Sequence, residues 1–290
     1  MRNSLGLAIG FLLVLTGCKQ STESLTYKSR VTPITIASTT LNRAVAGNLY
    51  QPLINNKIAE NAPVIFLLHG HGGDHHDWFQ EQEGNVQAIL DSLIANKQIP
   101  PVHALSMNAG NSWYVDSQEN MEQFYKNEVF PYIASINTPQ NPNLVDLNMQ
   151  LIAGNSAGGY GSLRFALIEP ERFKAVLLLS PAAYDPLPPA ISSSRKIPVF
   201  AKDSLFNDSI WKAYNYKHHL GNLKVSTSTP KFYISTGTED AYNITPVVKT
   251  IQYRLDSLEQ KTAVSLIPGG HDWQVWRTNF ANNLVDFFNE

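Results

Sequence analysis

The 290-residue chain has a single cysteine, so no disulfide within the chain can staple its fold. Charge is sparse and balanced: 22 Lys and Arg against 24 Asp and Glu, 16% of residues, leave a net charge of −2. The basic side chains are scattered, so there is no positive field for phosphate, and nucleic acid is excluded as a partner. Glycine and proline, 17 of each, stay at ordinary globular levels, which excludes a collagen-like repeat. A hydrophobic share of 43% excludes a disordered acidic tail. There is no internal repeat, and no apolar run reaches the ~20 residues of a membrane-spanning helix. The run Leu5–Leu15 would rise only about 16 Å as a helix.

That run fits a secretory signal, with Arg2 as its positive start. It ends in Leu15-Thr16-Gly17-Cys18, which resembles the bacterial lipobox. The resemblance implies cleavage before Cys18 and acylation of that residue, which would hold the mature chain to a lipid bilayer. The expected protein is exported and tied to the cell envelope, periplasmic or surface-facing. Residues 1–17 are read as a lipoprotein signal peptide, 18–30 as a polar tether and 31–290 as one folded domain.

In that domain strand and helix patterns alternate. Residues 32–37 and 44–50 read as a leading antiparallel hairpin, and VIFLL over 64–68 as a strand buried on both faces. Helical stripes cover 85–96, 121–136, 158–167, 246–258 and 273–288. Further strands are expected at 102–107, 150–153, 175–179, 231–235 and 263–267. Such alternation implies an α/β fold, a mostly parallel central sheet with helices on both faces. One segment breaks the rhythm. Residues 185–228 hold Pro186, Pro188, Pro189, Pro198 and the pair His218-His219, and are read as a lid-like insertion over the sheet's edge.

Ligands of such sheets sit at the carboxyl ends of the strands. There Gly154-Asn155-Ser156-Ala157-Gly158 follows a strand and opens a helix, the G-x-S-x-G pattern in the setting that exposes a serine on a sharp turn. A serine hydroxyl needs a base and a group that orients the base. His271, between the strand 263–267 and the last helix, and Asp240, after the strand 231–235, come to the same edge. The chain order Ser156, Asp240, His271 is that of the α/β-hydrolase triad. Glu239 and Asp185 are competing acids. A tetrahedral intermediate also needs N–H donors for its oxyanion. The expected ones are the amides of Ala157 and of His71, the latter in the glycine-rich loop His69-Gly70-His71-Gly72-Gly73.

The segments LLHGHGGDHHDW, NAGNSWYVDS, GNSAGGYGS, GTEDAYN and PGGHDWQVWRTNF occur in this order over residues 67–280. They resemble the blocks of the esterase D-type branch of the α/β-hydrolases. That branch includes feruloyl and acetyl-xylan esterases, S-formylglutathione hydrolase, enterochelin esterases and mycolyltransferases. The resemblance implies a cofactor-free serine carboxylic-ester hydrolase acting through an acyl-enzyme. Its expected substrate is an acylated carbohydrate or another extracellular ester, with acyl transfer and siderophore-ester cleavage as alternatives on the same triad. Ser156, Asp240 and His271 take the triad positions, and the His71 and Ala157 amides the oxyanion hole. Trp113, Tyr114 and Trp273 are candidate stacking residues for substrate, whereas Trp276 is read as core. One rival reading comes from another class, a metal-dependent hydrolase using His69, His71, Asp74, His75, His76 and Asp77. Their spacing misses the H-x-H-x-D-H motif by one residue, which argues against a shared metal.

Overall fold

The alternating patterns resolve into one nine-stranded sheet in a computed structural model, which describes residues 26–290. The signal segment 1–17 and Cys18 lie outside the described residues. β1 (Tyr27–Ser38) and β2 (Arg43–Ile54) form the leading hairpin, paired antiparallel from Tyr27 opposite Ile54 to Ser38 opposite Arg43. The tether expected over 18–30 is therefore corrected at its end, since residues 27–30 are already strand. Tyr27 and Val31 pack against the core, and Ser29 between them donates a 2.8 Å hydrogen bond to Asp91. A strand with only two apolar anchors in five residues does not stand out in the sequence.

Next come β3 (Lys57–Ile58), β4 (Ala62–Leu68), α1 (Val86–Ala95) and β5 (His103–Met107). The helical stretch expected over 121–136 is a composite: α2 (Met121–Phe124), a π turn (Tyr125–Val129), α3 (Phe130–Tyr132) and a 3-10 turn (Ile133–Ile136). β6 (Val145–Asn155), α4 (Ala157–Ile168) and β7 (Ala175–Leu179) follow. The insertion contributes β8 (Ala201–Lys202), β9 (Leu205–Phe206), α5 (Asp208–Ala213) and α6 (Asn222–Val225). β10 (Lys231–Gly237), α7 (Ile244–Asp256), β11 (Thr262–Ile267) and α8 (Trp273–Phe288) complete the described chain.

The strand order is β1-β2-β5-β4-β6-β7-β10-β11, with β3 paired to β2. Along this order every pairing from β5 to β11 is parallel and those of β1, β2 and β3 are antiparallel, while β8 and β9 form a separate antiparallel pair. Side chains of β4 alternate between two cores. Val64, Phe66 and Leu68 face one with α4 and α7, while Ile65 and Leu67 face the other with α1 and α8. Phe66 meets Phe130 edge-on at 4.9 Å. Each such side chain contributes about 1.5–3 kcal/mol by leaving water. A strand between two helical layers needs apolar residues at consecutive positions, and VIFLL supplies them.

The insertion packs on α4, on the face away from α1 and α8, rather than over an edge strand. Trp211 stacks on Tyr160 of α4 at 5.7 Å, and Asn222 donates to the Leu167 carbonyl at 2.9 Å. Among the described residues, no helix is long and apolar enough to cross a membrane.

Candidate active site

The turn between β6 and α4 holds Ser156 at φ 54° and ψ −115°, a conformation that costs about 1–3 kcal/mol and persists only under constraint. Three backbone hydrogen bonds supply that constraint. Ser156 N–H donates to Leu179 O at 2.9 Å, and Ser156 O accepts from Ala182 at 2.9 Å and Tyr160 at 3.1 Å. The flanking glycines are required by close approach. A Cβ on Gly154 would lie 2.3 Å from the Gly158 carbonyl, and one on Gly158 would lie 2.1 Å from the Leu68 oxygen. G-x-S-x-G is thus the sequence that lets β4, β6 and α4 meet at one point.

Across the same rim, His271 Nδ1 lies 2.7 Å from Asp240 Oδ2. The carboxylate is fully buried and also accepts from Thr236 Oγ1 at 3.1 Å and from the Tyr242 amide at 2.9 Å. Burial pushes its pKa up, but the hydrogen bonds and charge of His271, with Tyr242 and Thr236, outweigh that and hold it below the usual carboxylate range. An ionised Asp240 can only accept, so Nδ1 carries the proton and donates it in this hydrogen bond, and Nε2 is left with its lone pair free. Tyr242 and Trp276 flank the ring at 4.7 and 5.0 Å. Neither rival acid is bonded to His271 among the described residues. Asp185 pairs with Lys217 and Arg254, and Glu239 is exposed. Neighbouring Asp272 caps α8 through the Val275 amide and accepts from Gly270, 3.0 Å each.

The loop after β4 lies against the serine. A Cβ on Gly70 would be 3.6 Å from Ser156 Cβ. His69 is locked within the protein, its Nδ1 donating to Gly70 O at 2.8 Å and its Nε2 accepting from the Ala109 amide at 3.0 Å. Burial lowers its pKa, which keeps it neutral. With both ring nitrogens engaged, His69 cannot ligate a metal shared across residues 69–77, and the rival reading loses its first ligand. Asn111 accepts from the Gly72 amide at 2.8 Å, so the loop after β5 braces the glycine-rich loop at several points. Ala157 opens α4, where the first amides of a helix have no partner within it.

Ser156, His271, His71, Trp113 and Trp273 line one cavity of about 490 Å³, together with Asp77, Glu83, Tyr184, Ser192, Ser193, Tyr242, Asp272 and Trp276. No hydrogen bond joins Ser156 Oγ to His271 among the described residues. Tyr114 is not at the surface. It is 2% exposed, donates to His69 O at 2.9 Å and packs edge-on to Tyr125, so its expected stacking role is corrected to a core one. Trp113 is equally buried, enclosed by Phe200, Trp211 and Tyr160, and still borders the cavity. Trp273 is partly exposed and stays available. Trp276, read as core, is 7% exposed and also borders the cavity. Sequence reasoning missed Thr236 and Tyr242 around Asp240, although an Asp bonding the amide two residues on is a common local turn. Ser192 and Ser193 gave no signal within the proline-rich insertion.

The family model Esterase matches residues 38–287. An acetyl esterase of Caldicellulosiruptor saccharolyticus is 25% identical over 252 residues, 77% of this chain and 82% of its own length. A ferulic acid esterase superposes with a TM-score of 0.71 at 20% identity, over 91% of this chain and 99% of that one. The fluorophosphonate-binding serine hydrolase F of Staphylococcus aureus gives 0.69 at 19%, over 90% and 99%. The fold that these structures share with this chain is the α/β-hydrolase fold.

Proposed function

This chain belongs to the Esterase family, and we propose that it hydrolyses carboxylic esters with Ser156 as nucleophile, His271 as base and Asp240 as the acid that orients it. The observation that carries the reading is the 2.7 Å contact of a buried carboxylate with His271, whose ring shares a cavity with a serine on a strained strand-to-helix turn. In this mechanism His271 Nε2 takes the proton of Ser156 Oγ as the oxygen bonds to the ester carbonyl carbon. The amides of Ala157 and His71 donate to the resulting oxyanion. The carbonyl re-forms, the alcohol departs with the proton from His271, and water then repeats both steps on the acyl-enzyme. Asp240 holds the tautomer and stabilises the imidazolium. In unliganded sites the nucleophile–base hydrogen bond is often long and tightens with substrate, so its absence is compatible with these roles.

The substrate we propose is an acylated carbohydrate or similar extracellular ester, with Trp273 as a stacking surface beside the cavity. The names of the acetyl esterase and ferulic acid esterase relatives support this class, as does the exported, Cys18-acylated, bilayer-tied form expected from the N-terminal sequence. Ser156→Ala tests the chemistry: turnover of p-nitrophenyl acetate should fall about 10⁴–10⁶-fold with the melting temperature kept. Labelling by a fluorophosphonate should vanish in the same variant. Retention of more than about a tenth of wild-type turnover would overturn the assignment.

A further inference from the structure

The glycine-rich loop continues into a second group of donors that the proposed hydrolysis does not use. Asp74, His75 and His76 bring one carboxylate oxygen and two imidazole nitrogens within 4.8 Å of one another. Asp74 Oδ1 accepts from the His76 amide at 2.7 Å and is hydrogen-bonded to His76 Nδ1 at 3.0 Å, a separation that two ligands about 2.0–2.1 Å from a common ion would also have at roughly a right angle. His75 Nδ1 lies 3.8 Å from the same oxygen, a wider angle about the same centre. The two rings are 3.9 Å apart and tilted by 43°.

A separate observation points to a ligand. The His75 side chain is only 9% exposed, yet its buried Nδ1 has no hydrogen-bond partner. Buried polar atoms of native proteins are nearly always satisfied, so this one calls for an acceptor, a donor or an ion. Its main chain is fixed independently, its carbonyl accepting from Asn48 Nδ2 at 3.3 Å. Asp74 and His76 are about half exposed, at 44% and 54%, which leaves water access to the remaining coordination positions.

We propose that Asp74, His75 and His76 form a binding site for one borderline divalent transition-metal ion of the zinc or copper type, which braces the glycine-rich loop and takes no part in ester cleavage. Two imidazoles and one carboxylate suit zinc, copper or nickel, whereas magnesium and calcium prefer sets of oxygens. Binding would join an exposed pair of side chains to a buried one. It would thereby limit the motion of a loop whose near end lies against Ser156.

The test is calorimetric titration of the EDTA-dialysed protein with zinc chloride in excess magnesium. One ion per chain should bind, and His76→Ala should weaken binding by at least about tenfold. Replacement of His218, an exposed histidine elsewhere, should leave affinity unchanged, and zinc should raise the melting temperature of wild type but not of His76→Ala. Copper spectra should show nitrogen hyperfine structure from two imidazoles in wild type and from one in His76→Ala. Zinc binding as weak in wild type as in His76→Ala would overturn the proposal. So would binding lost in His271→Ala, which would put the ion in the ester cavity. No ester enters these measurements, so failure of the proposed hydrolysis would leave their outcome unaffected.

Discussion

His69 shows how much a single side chain can settle. It stands in a run of histidines and acids that reads as metal-binding, yet each ring nitrogen is used within the protein, toward Gly70 and Ala109. The partner that decides its role is 40 residues away on the next strand's loop, so no local pattern could assign it. Replacing His69 with Leu leaves the buried Ala109 amide unpaired, while the Gly70 carbonyl keeps the Gly73 amide at 3.4 Å, and we expect a loss of about 1–3 kcal/mol. Urea unfolding with an unchanged m-value measures it, and a loss below about 0.5 kcal/mol would contradict the assigned bonds. Trp113 and Tyr114 make the same point from the other side. Their loop position after a strand suggested exposure, and what covers them, Trp211 and Phe200 from the insertion and Tyr125 from the 121–136 stretch, is fixed only by tertiary packing.

Elements with a strong apolar period were legible, and their joints were not. The bounds expected for β4, β5, β7 and α8 fall within about two residues of those observed, because continuous apolar runs and a capping Asp272 mark them. The joint of the leading hairpin with the 121–136 stretch was invisible. There Glu128 Oε1 accepts from the Thr39 hydroxyl and from the amide and hydroxyl of Thr40, all within 2.9 Å. Burial pushes this carboxyl up, and the donors of the 38–40 turn outweigh it and bring it down to about 2. Its folded value lies below the ordinary 4.5 of an unfolded chain, so the clamp contributes fully above that pH. Its contribution fades as pH falls toward about 2. Wild type should therefore exceed Glu128→Gln in melting temperature at pH 6, and the gap should narrow below about pH 4.5 and close only near pH 2, the folded value. A gap independent of pH would contradict the clamp.

At the scale of the whole molecule, the insertion is part of the main core. Trp211 is fully buried against Trp113, Phe200 and Tyr160, and Arg164 of α4 pairs with Glu122 while donating to the Tyr214 carbonyl. Trp211→Ala should cost about 3–5 kcal/mol and keep a single thermal transition, followed by calorimetry. A separate early transition would show that residues 185–228 melt by themselves. The sheet's first strand has a further consequence. Its pairing begins at Tyr27, nine residues past Cys18, and nine residues span at most about 30 Å when fully drawn out. With the proposed acyl chains on Cys18, the domain would work on a short leash. It would graze esters displayed close to its own bilayer and leave distant polymer to freely diffusing enzymes.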